Sequence, residues 1–199
     1  MPQAENNPVE GFEYKPLTAE CWKNFERLFG PRGACAGCWC MWWRLDAAQF
    51  NRGKGEGDNL AMRDLVQSGH VPGILGYIDG VPAGWCSVAP RGEFPRLARS
   101  RTLKPLDDTP VWSLVCLFVE RAQRRKGLSV ALIRAALEYA SARGARIVEA
   151  YPVIPKSGKA ADVFIYTGTL SAFERAGFSV AARPSPSRAI VRYRIGGTE

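Results

Sequence analysis

The stretch with the strongest chemical signature is Arg124-Arg125-Lys126-Gly127-Leu128-Ser129. Three cations precede a glycine, and an Ala/Leu/Ile-rich segment runs on to Gly144. A helix that begins just after the glycine turns its first, unpaired N–H groups back toward the basic turn, and its dipole favours an anion there. Gly127 has no Cβ, so an anion can approach the main chain closely. The chemistry implied is the gripping of a diphosphate. The pattern is neither the phosphate loop that closes on Gly-Lys-Ser/Thr nor the three-glycine dinucleotide fingerprint. A solvated basic turn between a strand and a helix would share the composition.

Three further groups of residues carry possible chemistry. Glu149 lies inside the apolar run Ile147-Val148-Glu149-Ala150-Tyr151. A carboxylate is costly to bury unless it is used or paired, so it is a candidate general base or the partner of a core arginine. Cys35, Cys38 and Cys40 lie among Trp39, Trp42 and Trp43. They could hold zinc with a distant fourth ligand such as Cys86, act as a reactive thiol, or pack as small apolar side chains. A structural zinc site wants a second ligand pair, which is missing, and no metal is expected. His70, the only histidine, sits in a turn and is expected at the surface, as is Glu120.

The elements that position these residues follow from periodicity. Val111–Val119 is apolar, β-branched or aromatic and ends in polar punctuation, which predicts a buried strand. Leu128, Ala131/Leu132, Ala135/Ala136 and Tyr139 recur at helical spacing, and Gly144 suits a left-handed helix end. Upstream, a first strand is predicted over 12–17 and a helix over 20–29, capped by Thr18. A mobile loop is expected over 51–59, then a helix with Asp58 as its cap. Asp79-Gly80 between 73–78 and 81–89 signals a hairpin. A basic connector over 91–110 holds a short helix around 94–101. Strands over 145–153, 178–182 and 189–195, a loop over 155–162 and a helix over 167–176 complete an α/β chain with a mixed sheet of about seven strands and flanking helices.

Arg124-Arg125-Lys126-Gly127-Leu128-Ser129 resembles the acyl-CoA signature of the GCN5-related N-acetyltransferases, Arg/Gln-x-x-Gly-x-Gly/Ala, with Ser129 at the last small position. Ala172-Phe173-Glu174-Arg175-Ala176-Gly177-Phe178 is similar to that family's closing motif, and the hairpin at 73–89 feeds the central strand as it does there. Cys38-Trp39-Cys40-Met41-Trp42-Trp43-Arg44 with Trp112-Ser113, Glu149-Ala150-Tyr151-Pro152-Val153 and Tyr166-Thr167-Gly168-Thr169 further resembles an uncharacterised bacterial subgroup. The resemblance implies a single domain over 1–199, with 30–70 as a substrate-side arm, in the acetyltransferase (GNAT) fold. There the fourth and fifth strands splay apart around acetyl-CoA.

The resemblance also implies roles. Main-chain groups of Leu117 and Val119 would hold the acetyl carbonyl and the pantetheine arm, while Phe118 faces the other side of the sheet. Amides of Arg124, Arg125, Lys126, Gly127, Leu128, Ser129 and Val130 would hold the diphosphate. An amine acceptor would attack the thioester directly in a ternary complex. The proton donor of the family is the tyrosine of its closing motif. Phe173 stands there, so Tyr166 or Tyr151 is the candidate acid, or the thiolate leaves unaided. Glu149 is the first candidate for the base. Arg44 is a candidate partner for an acceptor carboxylate.

The formal charge of +8 on 199 residues calls for an anionic partner, and coenzyme A suits it. Nucleic acid would suit it too, through Arg91, Arg96, Arg99, Arg101 and Lys104, but no nucleic-acid module is recognisable and none is expected as a partner. The polar start, Met1–Pro8, and the absence of a long apolar run lead to an expected cytoplasmic, membrane-free protein, monomeric or homodimeric. An acetyl-CoA-dependent N-acetyltransferase is the expected function. The alternative is a catalytically impaired acyl-CoA-binding regulatory module, which Phe173 brings into view.

Overall fold

A computed structural model describes residues 9–155 and 165–196. The described chain builds a seven-stranded sheet in the order β1-β2-β3-β4-β5-β7-β6. These strands are β1 (Phe12–Pro16), β2 (Gly73–Ile78), β3 (Val81–Pro90), β4 (Trp112–Val119), β5 (Ile147–Ala150), β6 (Ser179–Ser185) and β7 (Arg188–Arg194). Pairing is antiparallel throughout except between β4 and β5, which run parallel. The helices are α1 (Trp22–Phe29), α2 (Ala47–Gly53), α3 (Glu56–Gln67), α4 (Pro95–Arg99), α5 (Leu128–Ser141) and α6 (Leu170–Arg175). No helix among the described residues is long and apolar enough to cross a membrane.

The hairpin forms as expected. Asp79 and Gly80 take φ values of 50° and 74°, the left-handed pair that a two-residue turn needs. On one face of the sheet lies α5, whose Leu128, Leu132, Ile133, Ala136 and Ala140 are buried with Ile74, Cys86, Leu114 and Val148. Gly76 and Gly84 make this close approach possible. A Cβ at either would sit 2.7 or 2.5 Å from a Leu132 methyl. The other face is covered by α1 and the 30–70 arm, where Phe25, Phe29, Trp39, Cys40, Met62 and Trp85 form an aromatic second core. Burying each such large side chain contributes about 1.5–3 kcal/mol.

The arm departs from expectation. Residues 51–59 are mostly helical: α2 fills 47–53 behind a capping box of Asp46 and Gln49, and α3 starts at Glu56. Asp58 is not the cap. It lies in the first turn of α3, fully buried, with neither carboxylate oxygen hydrogen-bonded among the described residues. Burial pushes its pKa up to about 6. Thr18 likewise makes no side-chain cap bond, and a short 3-10 turn (Ala19–Cys21) precedes α1.

Candidate active site

The site grows out of β4. Opposite β3, Val88 pairs with Leu114 but Ser87 pairs with Cys116, so Val115 is an extra residue and β4 bulges there. A bulge bends its strand and re-aims the side chains beyond it. Pairing with β5 covers only Trp112–Leu114 against Val148–Ala150. The two parallel strands therefore part at the bulge. Beyond the bulge Leu117 and Val119 lie against the α5 core, while Cys116 and Phe118 pack with α1 and the arm. Phe118 thus faces the side expected of it.

The mouth between the strands is lined by the chain itself. The Leu117 amide donates to the Tyr166 carbonyl at 2.6 Å, and the Val153 amide donates to the Gly168 carbonyl at 2.9 Å. Gly168 has φ 79°, and a Cβ on it would meet Phe173 Cε2 at 2.6 Å and Leu117 Cδ1 at 3.0 Å. The amide expected to face an acetyl carbonyl is thus satisfied by main chain. The segment 165–168 fits because a glycine at its inner bend lets it lie against both Leu117 and the Phe173 ring.

At the end of β4, the 3-10 turn Arg121–Gln123 leads to a loop in which Arg125 (φ 63°) and Gly127 (φ 85°) are left-handed. Two such residues around Lys126 curl the backbone into α5. Arg125, Lys126 and Gly127 are exposed, Arg124 and Ser129 half-buried, and Leu128 and Val130 anchor the turn in the core. Arg124 Nε donates to the Val119 carbonyl at 3.0 Å, bracing the strand end against the loop. Inside α5 the first main-chain bonds are made by Val130 and Ala131, both to the Gly127 carbonyl. The amides before them have no carbonyl one turn back to meet, as at any helix start. An exposed, basic, glycine-capped N-terminus of a 14-residue helix fits a diphosphate well.

Tyr166 packs beside Cys116 and the Trp43, Phe94 and Tyr151 cluster. Burial pushes its pKa up to about 12, so its proton is held through the neutral range. Phe173 is fully buried and edge-on to Phe178, with centroids 5.1 Å apart, so that position is pure core.

Glu149 stands differently from the base expected of it. Its side chain is 1% exposed, and its two oxygens accept from Arg91 at 2.9 Å and from Arg192 at 2.8 Å. Tyr151 donates a third bond to it at 2.8 Å, and Ser113, opposite Glu149 in the β4–β5 register, reaches the Tyr151 hydroxyl at 2.8 Å. Both oxygens of the carboxylate are committed to cations. It is the core-arginine pairing that the structure contains, and the base role loses its geometric basis. Burial, then the neighbouring Glu149 charge, raises the Tyr151 pKa, so this phenol also stays protonated.

The arm's candidates are similarly occupied. Arg44 bonds Glu93 at 2.8 Å and the Pro72 carbonyl at 3.1 Å with its side chain 5% exposed, so it is not waiting for an acceptor carboxylate. His70 lines an open cavity of about 480 Å³ with Arg44, Asp64 and Glu93. Arg96 lies 3.7 Å over the Trp42 ring, and Arg91 is committed to Glu149, so two of the basic connector's arginines serve the interior. All six cysteines are free, and no group of three or more potential ligands among the described residues is arranged to hold a metal. Sequence reasoning missed Arg188, which donates to the Tyr151 carbonyl at 2.8 Å and to Thr167 Oγ1 at 2.9 Å. It ties β7 to the segment carrying Tyr166. An isolated arginine after Ser185-Pro186-Ser187 gave no signal of this.

Residues 39–164 match the model of the acetyltransferase (GNAT) family. Among solved structures, the chain is similar to yncA from Salmonella typhimurium with its cofactor acetyl-CoA: 15% identity, 95% of this chain and 96% of that one, TM-score 0.54. A GNAT-family acetyltransferase from Listeria monocytogenes matches at 11% identity over 92% and 95% of the two chains, TM-score 0.55. The PaiA N-acetyltransferase of Thermoplasma acidophilum, in complex with coenzyme A, matches at 13% over 92% and 98%, TM-score 0.51. At these identities the likeness is one of fold. No curated protein matches the chain.

Proposed function

The chain belongs to the acetyltransferase (GNAT) family, and from that premise we propose that it moves an acetyl group from acetyl-CoA to an amine of a small molecule or peptide, by direct attack in a ternary complex. The observation that carries this reading is the exposed, basic, glycine-capped start of α5 beside the point where β4 and β5 part. Acetyl-CoA supplies the activated acyl group as a thioester.

In this reading the amides of residues 125–129 hold the diphosphate, those of Arg124 and Val130 being bonded to the Arg121 and Gly127 carbonyls, with Arg125 and Lys126 adding charge. Leu117 and Val119 line the acyl arm. For the Leu117 amide to meet an acyl carbonyl, the Tyr166 carbonyl has to yield it, and Gly168, two residues on, supplies a bend at which the segment can shift. A strand N–H so freed stabilises the charge that develops on the carbonyl oxygen. Tyr166 acts as a hydrogen-bond donor to the departing sulfur rather than as a full acid. Its pKa of about 12 lies above the roughly 8.5 of a thiol, so complete transfer runs uphill. With Glu149 committed to Arg91 and Arg192, the amine's proton leaves through water.

The test is release of coenzyme A from acetyl-CoA across a library of alkylamines, amino sugars and peptide amines. Acceptor-dependent release with saturation in both substrates is expected. Tight acetyl-CoA binding with no release above the hydrolytic background from any amine class would overturn the catalytic reading.

A further inference from the structure

The gap that opens between β4 and β5 is filled by the chain's own segment 166–170, and the two edges of that segment are held unequally. On the β5 side, Val153 continues past the strand end and bridges Thr169. Its amide donates to the Gly168 carbonyl at 2.9 Å, and its carbonyl accepts from the Leu170 amide at 3.2 Å. On the β4 side a single main-chain bond among the described residues holds the segment, the one at 2.6 Å from the Leu117 amide to the Tyr166 carbonyl. Between the edges stands Thr167, fully buried, whose Oγ1 accepts from Arg188 at 2.9 Å. The same guanidinium nitrogen donates to the Tyr151 carbonyl at 2.8 Å, and Arg188 also bridges Val153. Arg188 is therefore fixed to the β5 side and grips the segment through one hydroxyl. Gly168, left-handed at φ 79°, follows the gripped residue and supplies a bend at which the segment can shift.

We infer that Arg188, acting through the Thr167 hydroxyl, is a positioning residue that sets how tightly acetyl-CoA binds: it latches the Tyr166 carbonyl onto the Leu117 amide, so the free protein fills its own acyl seat. A buried amide N–H is costly to leave without a partner, and in the free chain the Tyr166 carbonyl meets that need. When a thioester carbonyl arrives, one acceptor replaces another on the same N–H, and the grip on Thr167 resists the exchange. Only molecules whose segment has let go can bind, so the apparent affinity is the intrinsic one reduced by the released fraction. A hydrogen bond from a guanidinium is stronger than one between neutral groups. Removing Thr167 Oγ1 should therefore raise the released fraction by about tenfold. A side chain that merely held the site together would act in the opposite sense, its loss weakening acetyl-CoA. The effect on acetyl-CoA rests on the proposed function; the effect on the free chain does not.

The experiment compares the full chain with Thr167→Val and Thr167→Ser, each verified as folded by circular dichroism. Valine keeps the shape and removes the acceptor oxygen, whereas serine keeps the oxygen. If Thr167→Val folds poorly, Arg188→Met carries the same comparison from the donor side. Amide hydrogen exchange, followed by NMR on isotope-labelled protein without any ligand, reads the latch directly. The Leu117 amide should exchange about tenfold faster in Thr167→Val and at the wild-type rate in Thr167→Ser, while the β4 amides that face β3 should not change. Isothermal calorimetry should then show acetyl-CoA bound about tenfold tighter by Thr167→Val than by the wild type. Equal exchange at Leu117, faster exchange along the whole of β4, or an acetyl-CoA affinity unchanged or weakened in Thr167→Val would each overturn the inference. A faster Leu117 amide with no acetyl-CoA binding by any of the proteins would instead remove the proposed function and leave the latch standing.

Discussion

Replacing Glu149 with glutamine separates a structural carboxylate from a catalytic one. The variant keeps the shape and one acceptor oxygen. It loses the charge, and its amide N–H groups now face a guanidinium. The native carboxylate bonds Arg91 at 2.9 Å, Arg192 at 2.8 Å and Tyr151 at 2.8 Å, with the arginine side chains 14% and 10% exposed. Breaking a buried charge pair costs about 3–5 kcal/mol. Arg192 keeps Asp107 and Arg91 keeps the Leu103 carbonyl, so the low end, about 3 kcal/mol, applies. For a chain of this size each kcal/mol moves the midpoint by about 2–4 °C, giving a drop of about 6–12 °C. Thermal unfolding by circular dichroism measures the drop, and coenzyme A release well below the melt measures turnover, which should stay within about threefold. The double variant Glu149→Gln/Arg192→Met should lose less than the sum of the single changes, because the pair is coupled. An unchanged midpoint with turnover down by about 10²–10⁴, the usual contribution of a general base, would refute the reasoning.

Other outcomes follow from the same geometry. Asp58 has its folded pKa raised to about 6, above the unfolded carboxylate value, so the folded state binds the proton more tightly and stability falls as pH rises from about 4 to 6. Asp58→Asn should remove that dependence and raise stability at pH 7, in urea unfolding at the two pH values. A loss of stability at pH 7 would contradict it. Gly168→Ala places a Cβ 2.6 Å from the Phe173 ring at a left-handed φ of 79°. It should cost about 1–3 kcal/mol by chemical denaturation, and unchanged stability would mean that segment 165–168 lies elsewhere. Tyr166→Phe should lower the turnover number with little effect on acetyl-CoA affinity, and equal turnover would remove the hydroxyl from the reaction.

The organising unit was legible because every local signal agreed. The apolar run 111–119, the basic turn and Gly127, and the 3.6-residue rhythm to Gly144 gave β4 and α5 to within a residue or two at their starts. Asp79-Gly80 announced its hairpin for the same reason. The arm was opaque. Lys54, Gly55 and Gly57 suggested loop chemistry, whereas helix α3 forms from Glu56 on because Ala61, Met62, Leu65 and Val66 pack on the second core and outweigh the glycine's poor propensity. The partners of Glu149 were out of reach for another reason. Arg91 and Arg192 are 58 and 43 residues away, and only the folded register brings them to one carboxylate. The use of the Leu117 amide by Tyr166 was equally invisible, since it depends on how far β4 and β5 diverge from the Val115 bulge onward.

The central claim is that the start of α5 grips the diphosphate of acetyl-CoA. Isothermal calorimetry of acetyl-CoA against the wild-type chain and Gly127→Val tests it most directly, with circular dichroism verifying that the variant is folded. At its left-handed φ of 85°, valine must either strain or reshape the turn whose amides would face the diphosphate. The account predicts saturable binding to the wild type and at least a tenfold weaker association for Gly127→Val. Equal affinity of the two proteins, or no binding to the wild type at micromolar concentration, would contradict it.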